Sequence, residues 1–537
     1  MLTCTLCSSL QKNFPDEVPA CGSFTGLSLL REEYGAFQAA LQSDCDATYD
    51  IVVESALTIR TFVVDCVPVQ KACNDNADDY YLRKTSGLYP DLLRPSNTVE
   101  VMADRTSAVW FEIAAGDYPG GLHSVNIRFS ENGKIAAQCT LCVEIIPADL
   151  PKQSILCTHW FHTDCISTYY NVPVFSEDYW HITENFVRAA VEHGVNFLLT
   201  PLFTPPLDTA EGKERPTVQL VDVTVQDGAY TFGFDKLRRW IRMCLRNGVE
   251  YFEMSHLFTQ WGAKHAPKIM ATVNGKYTRL FGWNTWAGGQ KYVSFLRVFA
   301  PELDAFLRDE GVAERCRFHV SDEPSMCNIR TYAKRSALIH ELFPNYAVFD
   351  ALSDFDFYSR GILKMPVSCI NHAADFVGHV PELWVYYCCG PGDGYYPNRF
   401  MAMPSLRNRV LGYMMYKYDV KGFLQWGLNF WYAQLSDHPI DPFQTSDADG
   451  AFPAGDAYVL YPGESGEPLA SLRFKVFREA LQDQRALDLL QSLVGREKTL
   501  RILESDGVLT FNEYPHSDAW QLRKRAQINA AIKENLQ

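Results

Sequence analysis

Two adjacent acids, Asp322 and Glu323, stand at the end of an apolar run, Arg317-Phe318-His319-Val320, and are followed at once by Pro324. Inside a strand, neighbouring side chains face opposite ways; at its end the chain turns, and both carboxyls can converge on one ligand. Pro324 disfavours helical backbone at the residue before it and predicts an extended Glu323. Two carboxyls in a confined site do not both stay ionised. One pKa rises, leaving a proton donor beside an ionised partner. A solvated acidic loop is the plain alternative for an isolated Asp-Glu dipeptide. Placement after a buried strand favours the catalytic one.

Other chemistry-bearing residues recur at the ends of apolar runs. His159-Trp160-Phe161-His162-Thr163-Asp164 follows one; Asp208 lies after another; Ser255-His256 leads on to Gln260-Trp261. Further along come Trp384-Val385-Tyr386-Tyr387 and Trp426-Gly427-Leu428-Asn429-Phe430-Trp431. Aromatic faces stack on the C–H faces of pyranose rings, and carboxylates accept from sugar hydroxyls. The composition therefore points to a carbohydrate site, with Asp208, His159, His256, Gln260, Trp261, Tyr386, Trp426, Asn429 and Trp431 as candidate contacts. Trp426 and Trp431 lie five apart and need not face one ligand. His256 also reads as a structural histidine, and Tyr386 as a core tyrosine. A metal-dependent hydrolase built on His159, His162, Asp164 and His256 is a rival arrangement. A non-catalytic carbohydrate-binding protein is another.

These residues need a scaffold that gathers strand ends. Between about residue 150 and the C-terminus a helical pattern, a glycine stop and an apolar strand recur. Helices over Tyr179–His193, from Asp235, up to Gly311 and from Ser405 stop at Gly194, Gly248, Gly311 and Gly422. Strands are predicted to begin near Ile155, Val195, Tyr251, Arg317, Tyr346, Val367, Leu383 and Phe423. Eight strands alternating with helices predict an α/β fold, a (β/α)8 TIM barrel with its site at the C-terminal strand ends. An open doubly wound sheet competes, but no GxGxxG or GxxxxGK[ST] follows the first strand. Residues from about 471 read as closing helices packed on the barrel. Residues 1–149 carry short β-branched and aromatic runs, such as Ala108–Ile113 and Ser124–Phe129, separated by turns, and predict an all-β sandwich. Ile146-Pro147-Ala148-Asp149-Leu150-Pro151 reads as the boundary, with the catalytic domain spanning 150–537, and proteolysis should cut near Pro147–Pro151 if that linker is exposed.

Composition narrows the partners. The 537 residues carry a formal net charge of -15, which repels phosphate backbones and argues against nucleic acid. No basic n-region precedes an apolar run, and no stretch of about 18 apolar residues occurs, so a cytoplasmic protein without membrane contact is expected. The 16 cysteines then read as reduced thiols. Cys4/Cys7 and Cys139/Cys142 have the ligand count of a zinc site. The second pair lies in a predicted strand whose alternation separates its thiols, so buried structural thiols are expected and neither metal nor cofactor.

The segment Phe318-His319-Val320-Ser321-Asp322-Glu323-Pro324 resembles the catalytic segment of glycoside hydrolase family 123, the β-N-acetylgalactosaminidases. Gly422–Trp431, Tyr461-Pro462-Gly463 and Ser471-Leu472-Arg473 also resemble that family, and the similarity covers most of the chain. Cys388-Cys389-Gly390 departs from it. The resemblance implies a β-sandwich followed by a (β/α)8 catalytic domain. It also implies a retaining, substrate-assisted reaction that releases a terminal β-linked N-acetylhexosamine, N-acetylgalactosamine foremost. There Glu323 is acid and base, Asp322 holds the 2-acetamido group, and Tyr386 donates to its oxygen.

Overall fold

A computed structural model describes residues 1–19 and 24–536. The N-terminal region forms two five-stranded sheets packed face to face. One sheet runs in the order Thr3–Ser8, Tyr34–Gln42, Thr106–Ala114, Thr58–Val69 and Gly87–Pro95. The other runs Gly26–Arg31, Lys134–Asp149, Gly121–Glu131, Ala47–Glu54 and Thr98–Val101. Alternation along Gly121–Glu131 sends Val125, Ile127 and Phe129 inward, where they join Phe37, Val109 and Phe111 of the facing sheet. The rings of Phe37 and Phe111 stack at 5.0 Å.

Eight parallel strands then close into a barrel: β1 (Leu156–His159), β2 (Phe197–Thr200), β3 (Tyr251–Met254), β4 (Cys316–Phe318), β5 (Ala347–Ala351), β6 (Met365–Cys369), β7 (Leu383–Tyr386) and β8 (Val420–Gln425). Pairing of Thr158 with Leu424 closes the ring. The interior is filled rather than open, as in a packed barrel core. Phe197, Phe349 and Trp384 meet there with ring centroids 5.4–6.0 Å apart.

Gly194, Gly248 and Gly311 take positive φ and stop their helices as expected. Gly422 does not. It lies inside β8, and the left-handed residue after that helix is Asp419 at φ 54°. Gly422 is required for another reason: a Cβ there would sit 2.2 Å from the indole of Trp384.

Two long excursions leave the C-terminal ends of β2 and β3, and a four-stranded sheet ties them together. Its order is Ala229–Gly233, Asp222–Gln226, Ile269–Val273 and Lys276–Phe281. Asp222–Gln226 from the first excursion pairs in parallel with Ile269–Val273 from the second. The loops that carry Asp208, Gln260 and Trp261 are thus braced against each other.

The closing helices do more than cover the barrel. Ser471 caps helix Leu472–Val494 by accepting from the Phe474 amide at 3.2 Å. The helix then reaches into the sandwich with buried charge: Arg473 pairs with Asp91 at 2.7 Å, and Lys475 with Glu112 at 2.8 Å. Arg525 of helix Asp518–Glu534 pairs with Glu33 at 2.7 Å. The boundary segment is a paired strand, with Pro147 and Asp149 exposed, rather than a free linker. The strand continues to Asp149, Ile146 and Leu150 are buried, and the Leu150 amide donates to Arg31.

The two CxxC pairs do not assemble one site. Cys4 and Cys139 bring their sulfurs to 3.4 Å, whereas Cys7 neighbours Asn13 and Cys142 faces solvent. The thiols are half-buried or exposed rather than buried.

Candidate active site

The C-terminal ends of the barrel strands surround a cavity of about 220 Å³ lined by Asp322, Glu323, Asp208, Gln260, Trp261, Tyr386 and Trp426. Trp160, Gln434, Phe452, Cys388 and Cys389 complete much of its wall. Seven of the expected residues therefore share one pocket.

Asp322 and Glu323 owe their placement to a buried polar core directly beneath them. Asp350, on β5, accepts the amides of Val320 and Ser321, each at 3.0 Å, and the Tyr332 hydroxyl at 2.5 Å. The same carboxylate meets His319 Nδ1 at 2.8 Å, and Glu253 meets His319 Nε2 at 2.5 Å. Glu253 also accepts from Trp160 Nε1 and Thr158 Oγ1, both at 2.6 Å. Burial alone would drive the imidazole neutral, but hydrogen bonds to Asp350 and Glu253 outweigh it and raise its pKa to about 9. A protonated His319 donates from both nitrogens. One cation thus links the aromatic floor of the pocket to the backbone that presents the two acids.

Sequence alone could not show this network. The only signal was His319 itself, in the motif, with its partners 31 and 66 residues away. His256, His319 and Asp350 come close enough to suggest a metal site. Both nitrogens of His319 are already committed to carboxylates, however, and the His256 ring stacks on it at 4.0 Å and 19°. Nearly parallel rings send their in-plane lone pairs along separate planes, so the set does not fit one ion.

Glu323 does not take the extended backbone expected before proline: its φ is 39°. Positive φ is strained for a side-chain-bearing residue, with a cost of about 1–3 kcal/mol. The amide of Glu323 donates to Ala351 O at 3.1 Å, and the Trp261 amide donates to Asp322 O at 2.8 Å, which hold the turn. The bend brings both carboxyls to the pocket, as strand alternation would not. Tyr386, on β7, donates to Glu323 Oε1 at 2.5 Å.

One carboxyl pKa rises, as expected, and it belongs to Asp322. Burial pushes it up, with the charges of Glu323, Asp350 and Asp208 adding to the effect and His319 opposing it. Burial also raises Asp208 to about 6. Around them stand unsatisfied or adjustable donors and acceptors. Gln260 Nε2 donates to Thr209 O at 3.1 Å, leaving its buried Oε1 with no partner. Trp426 Nε1 donates to Asp456 at 2.9 Å, and its indole lines the pocket beside Phe452, 5.4 Å away. Cys388 and Cys389 form part of the wall, and a hydrogen bond with Cys369, together with burial, keeps the Cys388 thiol protonated.

Four expected contacts lie elsewhere. His159 points outward from β1, against Phe477 at 5.0 Å and Phe474 at 5.4 Å, with Arg399 at 3.3 Å from Nδ1. Asn429 is fully buried and clasps the backbone of His162 through both its amide atoms, at 2.9 and 3.1 Å. Trp431 is buried against Phe186 and Tyr169, donating to Leu460 O. His256 is buried under the floor, edge-on to Trp160 at 5.3 Å. The rival metal set fails with them. His162 is a neutral ring, its pKa lowered to about 3 by burial and by Arg215. It accepts from Arg215 at Nδ1 and donates to Trp426 O, while Asp164 is paired with Arg215.

The missed wall residues had weaker signals. Trp160 was visible in the first strand-end segment, beside the histidine that turned out to face away. Gln434 and Phe452 come from the long stretch after β8, whose sequence has no periodicity to place them.

Comparison with known proteins agrees with this geometry. The family model described as "Glycoside hydrolase 123, catalytic domain" matches residues 160–490, more than half of the chain. A family 123 glycoside hydrolase from Clostridium perfringens, solved in a study of glycolipid glycan hydrolysis, superposes with a TM-score of 0.73 at 12% identity, over 99% of this chain and 97% of that one. A family 5 xyloglucanase from Bacteroides ovatus aligns over 85% of this chain and 98% of its own, at 10% identity, but with a TM-score of 0.29 that does not bear on the fold. No curated protein matches. The barrel, its acidic strand end and the family match agree: this chain belongs to glycoside hydrolase family 123 and is a glycoside hydrolase.

Proposed function

We propose that the enzyme releases a terminal β-linked N-acetylhexosamine, N-acetylgalactosamine foremost, with the substrate's own acetamido oxygen as nucleophile. The observation that carries this reading is the convergence of Asp322 and Glu323 on one narrow, aromatic-walled pocket. Asp322 and Glu323 reach the pocket from neighbouring positions of one turn. They suit a division of labour in which both act on one side of the sugar's reacting centre.

In that scheme Glu323 protonates the leaving oxygen and later takes a proton from the incoming water. Asp322 accepts from the acetamido N–H and offsets the positive charge that develops as the ring of the oxazolinium closes. A tethered nucleophile held in line can supply about 7–11 kcal/mol of the barrier. Glu323's charge is one of the causes that raise the Asp322 pKa, so the proton held near the two carboxyls can sit on either one. The productive form places the proton on Glu323, and a nascent cation beside Asp322 favours it.

Trp160, Trp426 and Phe452 supply stacking faces, while Asp208 and the free Gln260 Oε1 are positioned to accept sugar hydroxyls. Tyr386 donates to Glu323 Oε1, and we assign it to holding the acid. The deciding measurement is hydrolysis of p-nitrophenyl β-glycosides that differ only at C2 and C4. N-acetylgalactosaminide should be cleaved fastest, and 2-hydroxyl sugars should be almost inert. Comparable turnover of 2-hydroxyl sugars would refute the mechanism, and faster turnover of the glucosaminide would refute the sugar assignment.

A further inference from the structure

Glu323 and Tyr386 line two cavities, not one. Beyond the sugar pocket they border an open groove of about 730 Å³. Its walls include Met326, whose side chain is 37% exposed, and the half-buried ring of Phe355. The carboxyl that protonates a glycosidic oxygen must border both the sugar and the group that leaves. We propose that this groove is the aglycone site and that it selects extended, uncharged oligosaccharides over anionic ones. The inference rests on the reading of Glu323 as the acid.

Volume and chemistry support it together. The sugar pocket, at about 220 Å³, is less than a third of the groove's volume, so one residue is held closely and its attachment broadly. Phe355 is packed from behind by Phe376 at 5.3 Å and His379 at 5.6 Å, which fixes its ring as a stacking platform. The groove is also one-sided in charge. Asp354, Asp356 and Asp375 line it with Glu323, no lysine or arginine does, and the exposed His372 is the one lining side chain that can become a cation. Arg360 compensates Asp356 from outside the lining, at 2.6 Å. Asp354 accepts only the Asp356 amide, at 3.0 Å, as a helix cap. A sulfated or carboxylated sugar entering there would meet four carboxyls and no permanent cation in the lining.

The test compares the same terminal sugar on a neutral oligosaccharide, on its sulfated counterpart, and on p-nitrophenol. The neutral aglycone should exceed the sulfated one in kcat/KM by about tenfold or more at low salt, the scale of electrostatic steering in a charged cleft. High salt should narrow the gap, and so should Asp354→Asn with Asp375→Asn, in which asparagine keeps the cap. Phe355→Ala should raise KM for the oligosaccharide more than for the aryl glycoside. A second arm needs no turnover. In Glu323→Gln enzyme carrying methyl-labelled methionine, lactose should shift the Met326 signal and sulfated lactose should not. Equal kcat/KM for both aglycones, a gap indifferent to salt and substitution, or a Met326 signal moved equally by both or by neither would overturn the proposal. The aryl glycoside reports on Glu323 separately, because its small leaving group leaves most of the groove empty.

Discussion

Tyr386 on β7 donates to Glu323 Oε1 at 2.5 Å, spanning the barrel mouth from a strand three places away from the one that carries the acid. Glu323 sits on strained backbone at the end of β4, so its carboxyl needs an external partner to fix its rotamer. A hydrogen bond to a charged group contributes about 1.5–3 kcal/mol, so Tyr386→Phe should lower kcat by about 10–100-fold on oligosaccharides. KM should change little, since the hydroxyl is occupied by the protein. A loss confined to KM would return Tyr386 to the role of a direct substrate contact.

Glu323→Gln should lower kcat/KM on natural glycosides by about 10²–10⁴-fold, the range of general acid–base catalysis. The oxazolinium-forming step of nitrophenyl substrates should suffer less, because their leaving group needs little protonation. The variant should also alter the pH profile. Glu323's charge helps to hold the Asp322 proton, and a neutral amide removes that contribution. Asp322 would then ionise at lower pH, so the acidic limb of the residual activity should move down. An upward shift would mean that the two groups are not coupled as the geometry indicates.

Asp322→Asn should be severely impaired on N-acetylated substrates, because an amide cannot offset the charge of the oxazolinium. Successive fluorination of the N-acetyl methyl group should depress the wild-type rate steeply by draining the attacking oxygen. A thiazoline analogue should inhibit strongly, since it resembles the species the site favours. A covalent glycosyl adduct on a carboxylate, found by mass spectrometry, would replace this mechanism with an enzyme nucleophile.

His319 predicts a dependence of stability on pH. Its folded-state pKa of about 9 lies above the ordinary 6.5, so the charged ring stabilises the fold fully below about pH 6.5. That contribution, on the order of 3 kcal/mol, drains away as pH rises through about 9. Thermal unfolding should show a falling Tm over that interval, and His319→Gln should flatten it while lowering Tm at neutral pH. Removing one member of a buried charged set costs about 3–5 kcal/mol, because the remaining carboxylates lose their counter-ion. A wild-type Tm that is level from pH 6.5 to 10 would mean that the ring is not charged.

Gly422→Ala should destabilise the barrel by about 1–3 kcal/mol, the cost of overpacking a filled interior. Its Cβ would have to displace the Trp384 indole, which fills the centre of the barrel floor. Chemical denaturation should report the loss, and a neutral effect would show that the indole can move.

The same glycine marks what sequence could and could not reveal. Gly194, Gly248 and Gly311 were legible because a helical stripe ends just before each and left-handed backbone needs no Cβ. Gly422 looked the same in sequence, yet its cause is a tryptophan 38 residues earlier on the neighbouring strand, a contact that periodicity does not carry. The candidate site divides in the same way. Asp322 and Glu323 were legible from local type and placement. His159, Asn429 and Trp431 were misplaced because a strand end presents residues to the mouth, to the helices and to adjoining loops in turn. The tether between the two rim excursions is formed by short, partly exposed strands whose partners lie about 50 residues apart, so neither half announces the other.

The buried charges that join helix Leu472–Val494 to the sandwich have a consequence for how the molecule can be divided. Asp91 and Glu112 belong to the first 149 residues, and their cationic partners Arg473, Lys475 and Arg478 to the last 70. The two ends of the chain are thereby sewn to each other around the barrel. A barrel expressed without the sandwich would carry three cations facing water or one another in a surface shaped to bury them. The sandwich is in this sense a counter-ion to the catalytic module as much as a neighbour. Calorimetry of the intact chain should accordingly give one heat-absorption peak, and any shuffled enzyme that borrows the barrel must inherit the sandwich with it.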